Sequence, residues 1–245
     1  MAVHLLIGAA GGIGSALARM LTQRGDTVVL TGRTASDLDV LGEDLDQPWH
    51  ELDARDFQAV DDAVEAVVAE HGRIDGAINC AGSVVLKPAH LTISDDYESV
   101  IATNLTTAFA LVRAAAPRMR KQGGSIVLVS TAAVATGIAN HEAVAAAKGG
   151  VEGLVRSAAA TYGARGVRVN GVAPGLVVTP QTQKLVDNER QDDASRSMHV
   201  LDRFGQPEDV ASAIAWLVAP GNDWVTGQVL GVDGGLGRVR TCARG

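Results

Sequence analysis

Short apolar runs alternate along this chain with stretches of helical apolar spacing, and that alternation limits the fold more than any other feature. "AVHLLIG" (2–8) reads as a buried strand, and residues 13–24 follow with Ile13, Leu17, Met20 and Leu21 on one face. "TVVLTG" (27–32) and the weaker "PWHELD" (48–53) are strands, and 57–72 carries Val60, Val64, Val67 and Val68 as a helical stripe. "IDGAINCAG" (74–82) reads as strand then turn, 94–121 as one or two helices, "GSIVLVST" (124–131) as a strand and 141–164 as a long helix. "VRVNGVAPG" (167–175) is strand then loop, 207–219 a helix and "GQVLGVDGG" (227–235) a last strand. Strands separated by helices of this length predict βαβ units and a parallel sheet. Ligands of such a sheet lie at the carboxyl ends of its strands, where the strand order reverses. No repeat and no Pro-, Gly- or Ser-rich linker divides residues 1–245, so one α/β domain is expected.

Apolar residues are 47% of the chain but aromatics only 3%, so the core must be built from Ala, Val, Leu and Ile. The formal charge of −7 argues against nucleic acid and against an anionic membrane surface. The N-terminus lacks a basic region before its apolar residues, and no uninterrupted apolar run approaches the roughly 20 residues of a bilayer span. Cys80 and Cys242 stand far apart, which suits a reducing cytoplasmic setting. Cys242 occupies the prenylation position, but Arg244 is not aliphatic. The six histidines (4, 50, 71, 90, 141, 199) show no metal-ligand spacing, so no metal is expected.

"GAAGGIG" places Gly8, Gly12 and Gly14 after the first strand and at the mouth of a helix. Glycine lets the backbone approach a ligand closely, and a helix start offers free N–H groups to a pyrophosphate. An ordinary glycine turn gives the same pattern; the strand–turn–helix context is what a dinucleotide needs. The second strand ends at Gly32, where an acidic residue would hold both ribose hydroxyls of NAD, and Arg33 follows. A guanidinium matches a 2′-phosphate, which favours NADP(H) over NAD(H); the alternative is a solvated surface arginine. Asp53 ends the third strand and either accepts from the adenine amino group or caps the next helix.

With "NCAG" (79–82), Asn104, Lys148, "NGVAPGLVVT" (170–179) and "GVDGG" (231–235) following in order, the chain resembles the short-chain dehydrogenase/reductase family from Val3 to about Gly235. The resemblance implies a Rossmann-type doubly wound parallel sheet flanked by helices, usually tetrameric, that moves hydride between NAD(P)(H) and an alcohol or carbonyl. It implies that Gly8, Gly12, Ile13 and Gly14 bracket the pyrophosphate and that Asp53 holds adenine. Asn79, Ala81 and Gly82 would form the turn beside the adenine ribose, and Pro174, Gly175, Val177 and Thr179 would hold the carboxamide. Lys148 would hold the nicotinamide ribose, and Asn104 would anchor a water chain.

The family's acid is a tyrosine four residues before that lysine, on the same helix face, with a serine thirteen residues earlier. Here those positions are Val144 and Thr131. Tyr162 lies fourteen residues past Lys148, about 21 Å along a helix, and Tyr97 belongs to another element. His141 is within about 20° of Lys148 on the helix projection and can act as a general acid near neutral pH; the alternative is a polar residue at the cleft mouth. Asn140 is the expected helix cap.

The stretch 180–205 reads as a substrate flap and 236–245 as a tail. Leu185, Met198, Val200 and Leu201 of the flap, with Val84, Val85, Val134, Ile138, Val144 and Leu176, predict an apolar pocket for a small uncharged substrate. The resemblance implies that helix 141–164 pairs between subunits of a homotetramer or homodimer. Two functions follow: an NADP(H)-dependent oxidoreductase with a non-standard proton donor, or a catalytically silent NADP(H)-binding sensor or partner subunit.

Overall fold

A computed structural model describes residues 1–187 and 196–239. Seven parallel strands run β1 (Val3–Ile7), β2 (Thr27–Gly32), β3 (Trp49–Glu51), β4 (Gly76–Asn79), β5 (Gly124–Val129), β6 (Val167–Pro174) and β7 (Val229–Val232). Their spatial order is β3-β2-β1-β4-β5-β6-β7, so the order reverses between β1 and β4. The strand-by-strand expectation holds, with ends shifted by a few residues.

Alternate residues of each strand feed two separate cores. Leu5, Ile7, Ala77, Ile126 and Leu128 point to one face. There they meet α3 (Phe57–His71), α5 (Thr107–Met119) and α7 (Glu142–Tyr162). Leu6, Leu30, Ile78 and Val127 point to the other face, under α1 (Gly12–Gln23), α2 (Ala35–Leu45) and α9 (Pro207–Val218). Each fully buried Leu or Ile side chain contributes about 1.5–3 kcal/mol, and both faces must be apolar because helices cover both.

Helix α2 is not among the elements expected from the sequence. Its stripe of Leu38, Leu41 and Leu45 is diluted by four acidic residues and by Gly42. That glycine is demanded by packing, since a Cβ there would come 2.5 Å from the Trp49 ring. A second difference concerns residues 94–119. Helix α4 (Ser94–Ile101), a π turn (Ala102–Thr106) and α5 form one continuous helical stretch. By length and composition Ser94–Met119 is long and apolar enough to cross a membrane, contrary to the expectation from uninterrupted runs, because its threonines and Asn104 break the apolar run without making the helix polar on average. Its apolar members Val100, Ala108, Leu111, Ala115 and Met119 are buried in the protein.

Shorter helical pieces among the described residues include α6 (Ala133–Thr136) and α8 (Gln183–Val186). The middle of the expected flap, 188–195, and the tail from 240, with Cys242, lie outside the described residues.

Candidate active site

One cavity of about 680 Å3 opens at the carboxyl ends of β1, β4, β5 and β6. At one end stands the glycine loop. Gly8 sits at φ 77°, and Gly14 lies so close to Gly8 that a Cβ on it would be 2.1 Å from the Gly8 carbonyl oxygen. Neither place admits a side chain. Helix α1 begins after Gly11 with no side-chain cap and no acidic residue in its first turn. Its first N–H groups are therefore open to an anion, and these backbone amides fit a dinucleotide pyrophosphate. Thr179 closes over this loop, since a Cβ on Gly12 would meet its Cγ2 at 2.8 Å.

At the other end, α7 brings Lys148 under the turn after β4. Its ammonium donates to the Val129 carbonyl oxygen (2.7 Å). An ammonium has three donors, so the carbonyl leaves two for a ligand. Lys148 is only 6% exposed, and burial pushes its pKa from 10.5 down to about 8. Burial drives the Cys80 thiol the other way, up to about 12, which keeps it protonated and unreactive. Asn104 lies in the π turn, a feature common at functional sites. Its amide donates to the Val100 carbonyl (3.0 Å) and to Ser83 Oγ (3.0 Å), while Oδ1 accepts from the Ser83 N–H (3.1 Å). A Cβ on Gly82 would lie 3.2 Å from Asn104 Oδ1 and 3.6 Å from Lys148 Nζ. Glycine at 82 thus lets both polar groups face one space.

Thr131 follows β5, and its Oγ1 accepts from the Ala133 N–H (3.3 Å). Across the cavity, His141 Nδ1 donates to the Ala139 carbonyl oxygen (2.8 Å). A carbonyl only accepts, so this bond fixes the hydrogen on Nδ1 and leaves Nε2 as the exchangeable nitrogen. Val144 is 5% exposed and packs with Val100, Ala143 and Ala147, against Val85, Ile101 and Leu105. Neither tyrosine of the chain lines the cavity: Tyr97 is exposed on α4, and Tyr162 ends α7.

A family model described as "Enoyl-(Acyl carrier protein) reductase" matches residues 8–237. The chain belongs to the short-chain dehydrogenase/reductase family. It is 38% identical over 243 residues to a 3-oxoacyl-(acyl-carrier-protein) reductase of Thermotoga maritima, covering 96% of this chain and 97% of that one. It is 38% identical over 244 residues to a cis-4-hydroxycyclohexanecarboxylate dehydrogenase of Sinomonas cyclohexanicum, covering 97% of each. The solved structure of a short-chain type dehydrogenase/reductase from Mycobacterium ulcerans superposes with a TM-score of 0.92 at 30% identity, over 96% of this chain and 89% of that one. These relatives are oxidoreductases, and the chain carries their fold throughout.

Within that family frame, the structure gathers most of the expected site residues. Gly12, Ile13, Gly14, Ala81, Gly82, Asn104, Thr131, His141, Lys148, Pro174, Gly175, Val177 and Thr179 all line the cavity. Gly8, Arg33, Asp53 and Asn79 do not. Asn79 is buried and braces the turn instead: its Oδ1 accepts from the Ala81 N–H (2.8 Å), and its amide donates to Thr107 Oγ1 (3.0 Å). Asp53 is tied to Arg55 by several bonds. The neighbouring guanidinium holds its carboxyl at about 2.

Asn140 is not the helix cap. It takes φ 64°, a left-handed conformation that asparagine tolerates, and His141 occupies the N-cap position without a side-chain cap bond. Of the expected apolar wall, Val84, Ile138, Val144, Leu176, Leu185 and Met198 line the cavity. Val85, Val134, Val200 and Leu201 do not; Val85 packs behind Val144, and Val200 and Leu201 turn to a second cavity beside Gly235.

The sequence reading misses His199 as a wall residue. It is buried, lines the cavity and accepts from the Leu176 N–H (3.1 Å) through Nε2. Nothing in "RSMHVLDRFG" marks it, because its partner is a backbone group 23 residues away. Gln181, which reaches the Gly82 carbonyl from the flap (3.3 Å), is equally silent in sequence. Among the described residues, no group of three or more His, Cys, Asp or Glu side chains is placed to hold a metal.

Proposed function

We propose that the chain is an NADP(H)-dependent reductase or dehydrogenase of small uncharged carbonyls or alcohols, with His141 as proton donor and acceptor. The observation that carries this is a single cavity shared by the glycine loop, Lys148, Asn104, Thr131 and His141, with no tyrosine on its wall. Val144 stands four residues before Lys148, where the family resemblance implies a phenol, and an isopropyl group has no proton to transfer. Nicotinamide, when bound, supplies or takes the hydride.

The protein's residues do the rest. Lys148 holds the ribose and lends positive charge to an oxygen that becomes alkoxide-like. Thr131 donates its hydroxyl hydrogen to the same oxygen. In reduction, the His141 imidazolium gives its Nε2 proton to that oxygen; in oxidation, neutral Nε2 takes it. The Nδ1 bond to Ala139 keeps the ring in the orientation and tautomer this needs. Ile138, Leu176, Leu185 and Met198 give the substrate end an apolar wall, which selects an uncharged partner. Arg33 favours the 2′-phosphorylated cofactor. The same reading places the enzyme in the cytoplasm as a homodimer or homotetramer.

A second reading is a cofactor-binding protein without turnover, and the tight apolar packing of Val144 favours it. Absorbance of NADPH with a panel of carbonyls separates the two. Turnover with any member supports the first, while tight NADPH binding without turnover supports the second. Absence of binding to every nicotinamide cofactor sinks both.

A further inference from the structure

The carboxyl ends of β2 and β3 lie side by side, since the Leu52 N–H donates to the Gly32 carbonyl oxygen (2.7 Å). Arg33 follows the first of these strands and Asp53 the second. Two residues on, Arg55 folds back on Asp53. Its Nε reaches both carboxylate oxygens (2.9 and 3.0 Å), its Nη2 reaches Oδ2 (2.5 Å), and its backbone N–H donates to Oδ1 (3.0 Å). Both side chains are close to half exposed, where an ion pair contributes little stability, about 0–1 kcal/mol. The pairing engages the Nε–Nη2 edge of the guanidinium and leaves the Nη1 side to a second acceptor. Arg33 is also near enough for its charge to act on the Asp53 carboxyl. The next acid, Asp56, turns away from this group to cap α3 at Gln58 and Ala59. Arg33 and the Asp53–Arg55 pair thus stand where the glycine loop, through Thr31, meets the end of β2.

We infer that Arg55, held in place by Asp53, is a second guanidinium of the 2′-phosphate site, and that cofactor selection depends on Arg33 and Arg55 together. Asp53 accordingly orients Arg55 rather than serving the adenine alone. Guanidinium geometry matches a phosphate bidentately, which one arginine on a two-residue loop supplies less rigidly than one locked to a carboxylate. This rests on the NADP(H) reading above.

The test uses the intact protein and two fragments that lack nicotinamide, adenosine 2′,5′-bisphosphate and adenosine 5′-monophosphate, titrated by calorimetry. The wild type should prefer the bisphosphate. Arg55→Gln should weaken the bisphosphate by at least about tenfold, the size of one hydrogen bond to a charged group, and leave the monophosphate unchanged. Arg55→Lys, which keeps the charge but loses the planar edge, should fall between, and it serves if the glutamine variant does not fold. Equal weakening of both fragments, or of neither, overturns the inference. If the wild type shows no preference, the NADP(H) reading fails and the inference falls with it. If the preference survives Arg55→Gln but not Arg33→Gln, the inference alone fails.

Discussion

His4 and Lys148 are two basic side chains buried at opposite ends of the same sheet. His4 lies on β1, completely buried, with Nε2 3.3 Å from Asp26. Asp26 is itself engaged by the Arg24 Nε (2.6 Å) and by the Ala2 N–H (2.9 Å). Lys148 has one carbonyl and a cavity. Burial lowers the pKa of both, for His4 against the opposing pull of Asp26. Desolvation is thus common to the two and identifies neither as functional. What separates them is the surroundings. His4 has acids and arginine packed about it and Gly76 pressed against its ring, whereas Lys148 lines the cavity with one carbonyl as its partner.

The largest effect should come from His141, the proposed proton donor. His141→Ala should lower turnover by about 10²–10⁴-fold with NADPH affinity unchanged, and Val144→Tyr in that background should restore part of it. Retention of full activity in His141→Ala would remove the histidine from the mechanism. Next, Lys148→Met should cost roughly 10²–10³-fold in turnover and also weaken NADPH, whereas His4→Leu should alter neither. A loss of turnover in His4→Leu without loss of stability would erase the contrast.

Stability against pH sharpens the same comparison. The Lys148 amine titrates at about 8 when folded against 10.5 unfolded, so between these values the unfolded state binds more protons. Stability should therefore rise from pH 8 to 10.5, by about 3 kcal/mol, with the full penalty present below pH 8. Denaturant melts of Lys148→Met should lack that rise. The smallest effect belongs to His4, whose folded pKa is below the ordinary 6.5. Its contribution is present above 6.5 and is lost as pH falls toward the folded value. Urea midpoints of wild type should therefore drop on acidification below 6.5 more steeply than those of His4→Leu.

Much of the glycine-loop end of the cavity was legible because its requirements are backbone requirements. Gly8 and Gly14 appear in the sequence as glycines for the same reason a Cβ cannot be placed on either. Lys148 and Val144 could be read as neighbours because four residues on a helix share a face. The ends of β2 and β3 were half legible: Arg33 and Asp53 were visible, but the bidentate hold of Arg55 on Asp53 depends on where the loop after β3 turns. The substrate wall was legible only as a composition. Val85 and Val144 look equally fit for lining a pocket, yet Val85 ends up behind Val144 and away from the cavity.

The chain alone determined the parallel α/β architecture and the family, since periodicity, glycine spacing and residue identity are local properties. Only the tertiary structure decided that His141 rather than Asn140 starts α7, that Ala139 fixes its tautomer, and that His199 and Gln181 reach the cavity. The last of these depends on hydrogen bonds between segments far apart in sequence, whose relative placement no local pattern encodes; the first two follow from the left-handed turn that the chain takes at Asn140.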